Sequence, residues 1–325
     1  MRTGGVLLPA FVLSTLVFGL AASATAAERS HLVIVVGLGG EPQYTEAFRA
    51  LAVSMVGAAE KKLGIDPADI AYLGEKPEEP GIAVYRGRST RENVQKTLLG
   101  LARQAGPDDL VFILLIGHGS AQTDESRFNL PGPDMGASDF APLLKALAVQ
   151  KVVFVNTASA SGDFVKVLGG ERRTIVTATK SALERNETAF ARYFVEAFTG
   201  DGADADKDER VSVQEAFEYA RREVERSYEK SRRLLTEHAV LDDAGGRARG
   251  LFLGAGEEAE GEGAADPTLA ALREERRGVE AKLEDLRAQK ASMPAAAYQD
   301  ELEKLLLELA LKDEAIRQRQ TEAKK

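Results

Sequence analysis

The sequence predicts an α/β fold, in which a mostly parallel sheet carries helices on both faces and a C-terminal helical hairpin follows. From residue 31 to about 180, short apolar runs alternate with helix-like segments, and this alternation is typical of a covered parallel sheet. The run DLVFILLIGHG (109–119) is apolar at almost every position. We therefore expect it to form a central strand that is buried on both faces.

The other elements are predicted from apolar periodicity and from capping patterns. A first strand is expected at HLVIVVGL (31–38), and a helix from Thr45 to Leu63 follows it, because its apolar residues recur on one face. Ser89 precedes Glu92 by three residues, the pattern of a capping box that opens a helix through about Arg103. The remaining predictions are strands at 70–74, 82–87, 151–159 and 173–179, and helices at 140–147, 187–198 and 213–231.

Composition and charge narrow the possible function classes. A chain of 325 residues can bury one sizeable core and carry appendages. The net charge of −9, without a basic stripe of interleaved aromatic residues, argues against a nucleic-acid partner. The chain contains no cysteine, so thiol catalysis, disulfides and cysteine-based zinc sites are excluded.

The N-terminal segment is predicted to be a targeting signal. Residues 1–27 combine a charge at Arg2, an apolar stretch from Val6 to Leu20 and a run of small residues with alanines at positions 24 and 26. This is the pattern of a secretory signal peptide. We expect a mature protein that is secreted or periplasmic and has no stable membrane anchor. A retained transmembrane anchor is the alternative, although the apolar run is short for a span.

The C-terminal third divides into a linker and a helical region. Residues 254–267 are mostly Gly, Ala and Glu and offer almost nothing to bury, as is typical of a flexible acidic linker. Residues 268–321 repeat leucines at spacings of four and three, which predicts a helical hairpin or coiled coil that could self-associate. A tail that packs only on its own core is equally compatible with the pattern. The domain between these segments and the signal peptide spans residues 28–253.

Two of the predicted strands end in residues that could carry chemistry. IGHG (116–119) places His118 and Gly119 at one strand end, and VFVNTASASG (153–162) delivers Ser159 and Ser161 at another. Reactive groups gather at the carboxyl ends of central strands in open α/β sheets. A glycine after the histidine would also let a backbone N–H approach a developing oxyanion.

These two motifs resemble those of the legumain and caspase-like cysteine peptidases over roughly residues 31 to 240. His118-Gly119 matches the family's His-Gly pair, and residues 158–162, Ala-Ser-Ala-Ser-Gly, match its motif around the nucleophile. Ser159 stands where the family has its cysteine. The resemblance implies a caspase-like sheet, with His118, Gly119 and Ser159 as the counterparts of the catalytic residues and a peptide or protein as the partner.

The serine changes the expected activity. A cysteine pKa of about 8.5 leaves some thiolate at neutral pH, whereas a serine needs a base in hydrogen-bond contact and a third group that orients the base. We therefore expect a binding scaffold with little or no peptidase activity. The alternatives are an active endopeptidase that uses Ser159 and His118, and a serine hydrolase of another type that uses Ser159, an aspartate and His238. The second lacks the G-x-S-x-G turn that such enzymes use.

A second set of candidate residues lies in DADKDERVSVQE (204–215). Its oxygen-bearing groups match positions 1, 3, 5, 7, 9 and 12 of an EF-hand calcium loop, and they are Asp204, Asp206, Asp208, the Arg210 carbonyl, Ser212 and Glu215. Glu209 occupies the sixth position, where a glycine normally provides a positive φ, so weak calcium binding is expected. An acidic turn that caps a helix is the alternative.

Overall fold

The structure is a computed structural model that describes residues 29–122, 125–244, 246–254, 267–288 and 293–323. The predicted signal peptide and most of the predicted linker lie outside these ranges. Ten strands are present in the described part of the chain: β1 (Ser30–Val36), β2 (Ile70–Gly74), β3 (Tyr85–Arg88), β4 (Leu110–Ile116), β5 (Gly119–Gln122), β6 (Glu125–Phe128), β7 (Met135–Gly136), β8 (Lys151–Asn156), β9 (Arg173–Thr177) and β10 (Val240–Asp242).

Eight α-helices accompany these strands within the described ranges. They are α1 (Pro42–Lys61), α2 (Arg91–Gln104), α3 (Ala137–Ala146), α4 (Asp163–Leu168), α5 (Phe190–Thr199), α6 (Val213–Lys230), α7 (Pro267–Ala288) and α8 (Ala295–Ala323). None of the described helices has the length and apolar character that crossing a lipid bilayer would require.

The main sheet has seven strands in the order β10-β9-β8-β4-β1-β2-β3. All neighbouring pairs are parallel except β10 with β9, which is antiparallel. Strands β5, β6 and β7 form a separate small antiparallel sheet. The predicted α/β class and its mostly parallel sheet are confirmed.

The central strand β4 shows why its sequence is apolar throughout. Alternate residues, such as Phe112 and Leu114, pack into one core with helices α1, α5 and α6. The residues between them, such as Ile113 and Leu115, pack into a second core with α2, α3 and α4. Because successive side chains of a strand point to opposite faces, a strand covered on both sides must be apolar at every position.

Helices α7 and α8 form the predicted hairpin with a small core of its own. Val279, Leu283, Leu286 and Leu305 are buried together, with partly buried residues of α8 around them. None of the described residues in this cluster belongs to the two cores of the sheet. The hairpin therefore buries its apolar face mainly within itself.

Some local predictions need correction. The N-cap of α2 is Thr90, whose hydroxyl accepts the N–H of Asn93, whereas the Ser89 hydroxyl donates to the Val36 carbonyl. Ser89 is fully buried against the sheet, so it serves the strand rather than the predicted capping box. Helix α4 and the small sheet were not predicted, because their segments are too short to show a periodicity.

Candidate functional site

The two candidate strand ends meet at one edge of the sheet. Strands β4 and β8 are parallel neighbours, with Leu115 opposite Asn156, so the segments after them leave the sheet side by side. The strands that lead to Gly119 and Ser159 are therefore adjacent in the sheet. The contact between the segments is close, since a Cβ atom on Gly119 would lie 2.1 Å from the Ser159 carbonyl oxygen. Glycine is therefore required at position 119.

The Ser159 hydroxyl is held by the backbone of Gly119. Its Oγ donates to the Gly119 carbonyl at 3.0 Å and accepts the Gly119 N–H at 3.4 Å. Ser159 is 5% exposed. The hydroxyl proton and the glycine N–H are the two groups that a serine nucleophile and its oxyanion hole would need, and both are used within the protein.

The turn after Ser159 is fixed in an unusual backbone conformation. Ala160 has a φ of 52° and is fully buried, and its N–H donates to the Glu184 carbonyl at 2.7 Å. A residue with a Cβ atom reaches this left-handed region only at a cost. Its surroundings must hold it there, so the Ser159 backbone has little freedom to reorient.

His118 contacts aromatic rings rather than the serine. Its imidazole packs edge-on against Tyr44 and Phe48 of α1, with ring centroids 4.7 and 4.9 Å apart. Among the described residues, no hydrogen bond joins the His118 imidazole to the Ser159 hydroxyl. The hydroxyl of Tyr44 donates to Glu187 at 3.2 Å, and this contact raises the Tyr44 pKa.

Ser161, the second serine of the motif, has a structural role in this geometry. Its Oγ lies 3.2 Å from the Thr179 hydroxyl, and the next N–H, of Gly162, donates to the same hydroxyl at 3.1 Å. A Cβ atom on Gly162 would lie 2.1 Å from the Ser181 nitrogen. These contacts fix the start of α4 against the segment that follows β9.

His238, the candidate base of the alternative hydrolase, pairs with Glu184. The imidazole Nδ1 of His238 lies 2.5 Å from Glu184 Oε1, and the backbone N–H of His238 donates to Glu184 Oε2 at 3.1 Å. The same carboxylate accepts the Lys180 N–H at 3.0 Å. Within the described chain, His238 therefore has a carboxylate partner and no hydrogen bond to Ser159.

Sequence reasoning missed Glu237, which is the neighbour of His238. Glu237 is 3% exposed, and burial raises its pKa to about 7. Its carboxylate accepts the Ala189 N–H at the start of α5 at 2.7 Å and the Tyr228 hydroxyl at 3.4 Å. It lines a cleft of about 190 Å³ together with Arg221, Val224, Glu225, Leu235, His238 and Ala239. Glutamate is a residue type that is seldom buried, so the sequence gives no signal that this one is.

The acidic loop 204–215 connects α5 to α6 and brings its first three aspartates together. One carboxylate oxygen from each of Asp204, Asp206 and Asp208 lies within 4.8 Å of the others. Glu209, at the position where a glycine was expected, has a φ of 68°. The backbone at this residue is therefore left-handed, despite the cost of placing a side chain there.

Two other candidate ligands of the loop, Ser212 and Glu215, are engaged in hydrogen bonds. Glu215 lies in the first turn of α6 and accepts the N–H and hydroxyl of Ser212, both at 2.9 Å, as in a capping box. Its second oxygen accepts the Ala205 N–H at 2.9 Å. Arg210 donates its N–H to Asp208 at 2.9 Å, and its guanidinium carbon lies 3.7 Å from the centroid of the Phe252 ring.

Crowding of these carboxylates alters their protonation. Burial, together with the neighbouring charge of Asp206, raises the Asp208 pKa to about 6. Burial also raises the Glu215 pKa. Both carboxylates would be stabilised in their charged form by a nearby cation. The set of oxygens suits a hard cation such as Ca²⁺.

A positive charge from the C-terminal hairpin already reaches this loop. Arg276 of α7 contacts Asp206 Oδ2 through Nη1 at 2.6 Å and Asp313 of α8 through Nε at 2.6 Å. Its side chain is 8% exposed. Sequence reasoning gave no indication of this contact, because the two partners lie 70 positions apart in different segments.

Comparisons with known proteins bear on the sheet and its two strand ends. Residues 79–238 match the Peptidase C13 family. No curated protein matches the chain. One solved structure, that of Raptor from Chaetomium thermophilum, is similar with 14% sequence identity and a TM-score of 0.33. The alignment covers 53% of this chain and 17% of that one.

The matched range includes the ends of both central strands, with His118, Gly119 and Ser159, and it stops at His238. It also includes the whole acidic loop. The strand order and the close contact of the two motifs agree with the resemblance seen in the sequence. The match to the Peptidase C13 family supports the assignment of residues 79–238 to the legumain and caspase-like peptidase superfamily.

Proposed function

We propose that this protein is an exported, peptidase-shaped scaffold that binds a peptide or protein partner and has little or no peptidase activity. One observation carries the proposal: the Ser159 hydroxyl donates to the Gly119 carbonyl and accepts the Gly119 N–H. A serine becomes a nucleophile when a base takes its proton, and here the proton is directed to a backbone carbonyl.

The surroundings of the histidine support the same proposal. The imidazole of His118 is packed against Tyr44 and Phe48. A catalytic histidine needs a hydrogen bond to the nucleophile and a partner that orients its ring. Aromatic edges supply neither. The partner-binding function would then use the edge of the sheet where a peptidase holds its substrate.

Hydrolysis of a diverse peptide library, followed by mass spectrometry, tests this proposal. Wild type, Ser159→Ala and His118→Ala should all leave the library intact, as should the control Ser161→Ala. Cleavage by wild type that disappears in Ser159→Ala and His118→Ala would instead establish the active endopeptidase. Cleavage lost in His238→Ala but kept in His118→Ala would establish the other serine hydrolase.

We also propose that the acidic loop binds calcium weakly. The convergence of the three aspartates and the positive φ of Glu209 support it. Millimolar calcium should raise the melting temperature of wild type, because a ligand that binds only the folded state stabilises it. Asp204→Asn and Glu215→Gln should lose this response. A wild type whose melting temperature is unchanged by calcium would refute the proposal.

Export from the cytoplasm is the remaining part of the proposal. The charge at Arg2, the apolar stretch and the small residues of 1–27 support it. N-terminal sequencing of the protein purified from its native host should begin at about residue 27 or 28. A protein that retains its first residues would refute cleavage at this site.

A further inference from the structure

Arg276 links the C-terminal hairpin to the acidic loop. Its guanidinium bridges Asp206 of the acidic loop and Asp313 of α8, at 2.6 Å to each. The side chain is 8% exposed. An arginine this deeply buried is stable only when its charge is paired, so the loop supplies one half of what Arg276 requires.

The loop in turn requires a positive charge. Three aspartate carboxylates converge within 4.8 Å, and like charges at this distance repel one another. Asp206 Oδ1 accepts the Asp208 N–H at 3.1 Å, while its Oδ2 faces Arg276. The guanidinium thus neutralises one member of the cluster from the side of the hairpin.

The hairpin has its own apolar core, so its position relative to the sheet depends strongly on polar contacts such as that of Arg276 with Asp206. Four buried apolar residues of the hairpin form a cluster that includes no residue from the cores of the sheet, and they are Val279, Leu283, Leu286 and Leu305. Docking of such an element depends strongly on the contacts at its surface, and relative motion is the default when an interface is small. Arg276 provides one charged contact of this kind.

We propose that Arg276 is a tethered cation that competes with calcium for the 204–215 loop, so that the hairpin docks on the loop without calcium and is released when calcium binds. This inference rests on the calcium site proposed above. A calcium ion held by Asp204, Asp206 and Asp208 would place two positive charges beside the guanidinium. The two cations would repel each other, and each would weaken the binding of the other by the same factor.

Calcium titration of the full chain by calorimetry tests the competition. Arg276→Gln removes the competing charge and should bind calcium about fivefold or more tightly than wild type. Lys312→Gln is the matched control, because Lys312 pairs with Glu275 inside the hairpin at 2.5 Å and forms no ion pair with the described residues of the loop. It should leave the affinity unchanged. Arg276→Lys keeps the charge and should return the affinity toward that of wild type.

Small-angle X-ray scattering tests the release. Calcium should increase the radius of gyration of wild type, and Glu215→Gln, which loses a calcium ligand without contacting Arg276, should show no increase. Arg276→Gln should be expanded without calcium.

The outcomes separate the two proposals. If wild type binds calcium and Arg276→Gln binds it with the same affinity, the competition is refuted while the calcium site stands. If neither protein binds calcium, the calcium site and the competition are both refuted. If calcium binds but leaves the radius of gyration unchanged, the release is refuted.

Discussion

The junction of β4 with β8 and the acidic loop 204–215 both gather polar groups at one point, but they differ in how those groups are satisfied. At the junction, Ser159 exchanges two hydrogen bonds with Gly119. In the loop, charged carboxylates face one another, and the Asp208 pKa rises to about 6 as a result of burial and the charge of Asp206. The first region is complete without a ligand, whereas the second gains from a cation. The two regions therefore support different proposals, namely no catalysis at the junction and cation binding at the loop.

The largest expected effect is a loss of stability at the junction. Gly119→Ala would place a Cβ atom 2.1 Å from the Ser159 carbonyl, which should cost about 1–3 kcal/mol or more of unfolding free energy. Gly57→Ala in α1 is the control, because a Cβ atom there meets nothing within 4 Å, and it should stabilise by roughly 0.5–1 kcal/mol. Urea denaturation measures both. Equal effects would show that the strand ends are not in close contact.

The next effect is a pH dependence that arises outside both regions, at Glu237. Burial raises its pKa from 4.5 to about 7, so the folded protein binds more protons than the unfolded chain between these values. Stability should therefore fall as pH rises from about 4.5 to 7. Glu237→Gln should remove this slope and gain roughly 1–3 kcal/mol at pH 8.

Chemical denaturation at several pH values checks this prediction. Glu229→Gln, a change at an exposed position of α6, is the control and should keep the slope of wild type. A Glu237→Gln protein with the same pH profile as wild type would show that Glu237 has an ordinary pKa.

A smaller effect is expected in the acidic loop. Asp208→Asn removes one of the crowded negative charges, and the amide oxygen can still accept the Arg210 N–H. In calcium-free buffer at pH 7, the variant should be more stable than wild type by about 1 kcal/mol or less, since the group is partly exposed to solvent. Thermal melting with and without calcium should also show that it has lost the calcium response. Destabilisation in calcium-free buffer would mean that these charges do not repel each other in the folded state.

The smallest effect is a trace of activity at the junction. Ser159→Cys introduces a thiol whose pKa of about 8.5 makes a nucleophile available without tight contact to a base. We expect weak peptidase activity above that of wild type, with Ser161→Cys as an inactive control. Fluorogenic peptides of varied sequence provide the measurement. A folded Ser159→Cys protein without activity would show that the site has diverged by more than this one residue.

Most of the fold could be predicted from the sequence because it depends on local patterns. The apolar run of β4 predicts a central strand, and the parallel order brings His118 and Ser159 to one edge. These features follow from side-chain periodicity and motif spacing, which a single chain displays directly.

The side-chain contacts at the two candidate sites depend on distances between segments that are remote in the sequence, and these distances cannot be predicted from a single sequence. The hydrogen bonds between Ser159 and Gly119 require knowledge of how closely two strand ends approach. The contact of Arg276 with Asp206 joins segments 70 positions apart. The N-cap of α2 is Thr90 and not the predicted Ser89. The Ser89 hydroxyl is buried and donates to the Val36 carbonyl, whereas the Thr90 hydroxyl accepts the Asn93 N–H.

The chemical reactivity of Ser159 shows whether the junction of β4 with β8 holds a working nucleophile. Intact-mass spectrometry after incubation with a fluorophosphonate, which forms an adduct with activated serines, reports on this hydroxyl without any assumption about the substrate. The hydrogen bonds to Gly119 and the aromatic packing of His118 predict no adduct at Ser159 in the folded protein. An adduct located at Ser159 by peptide mapping, and lost in His118→Ala, would contradict the account and identify a working nucleophile.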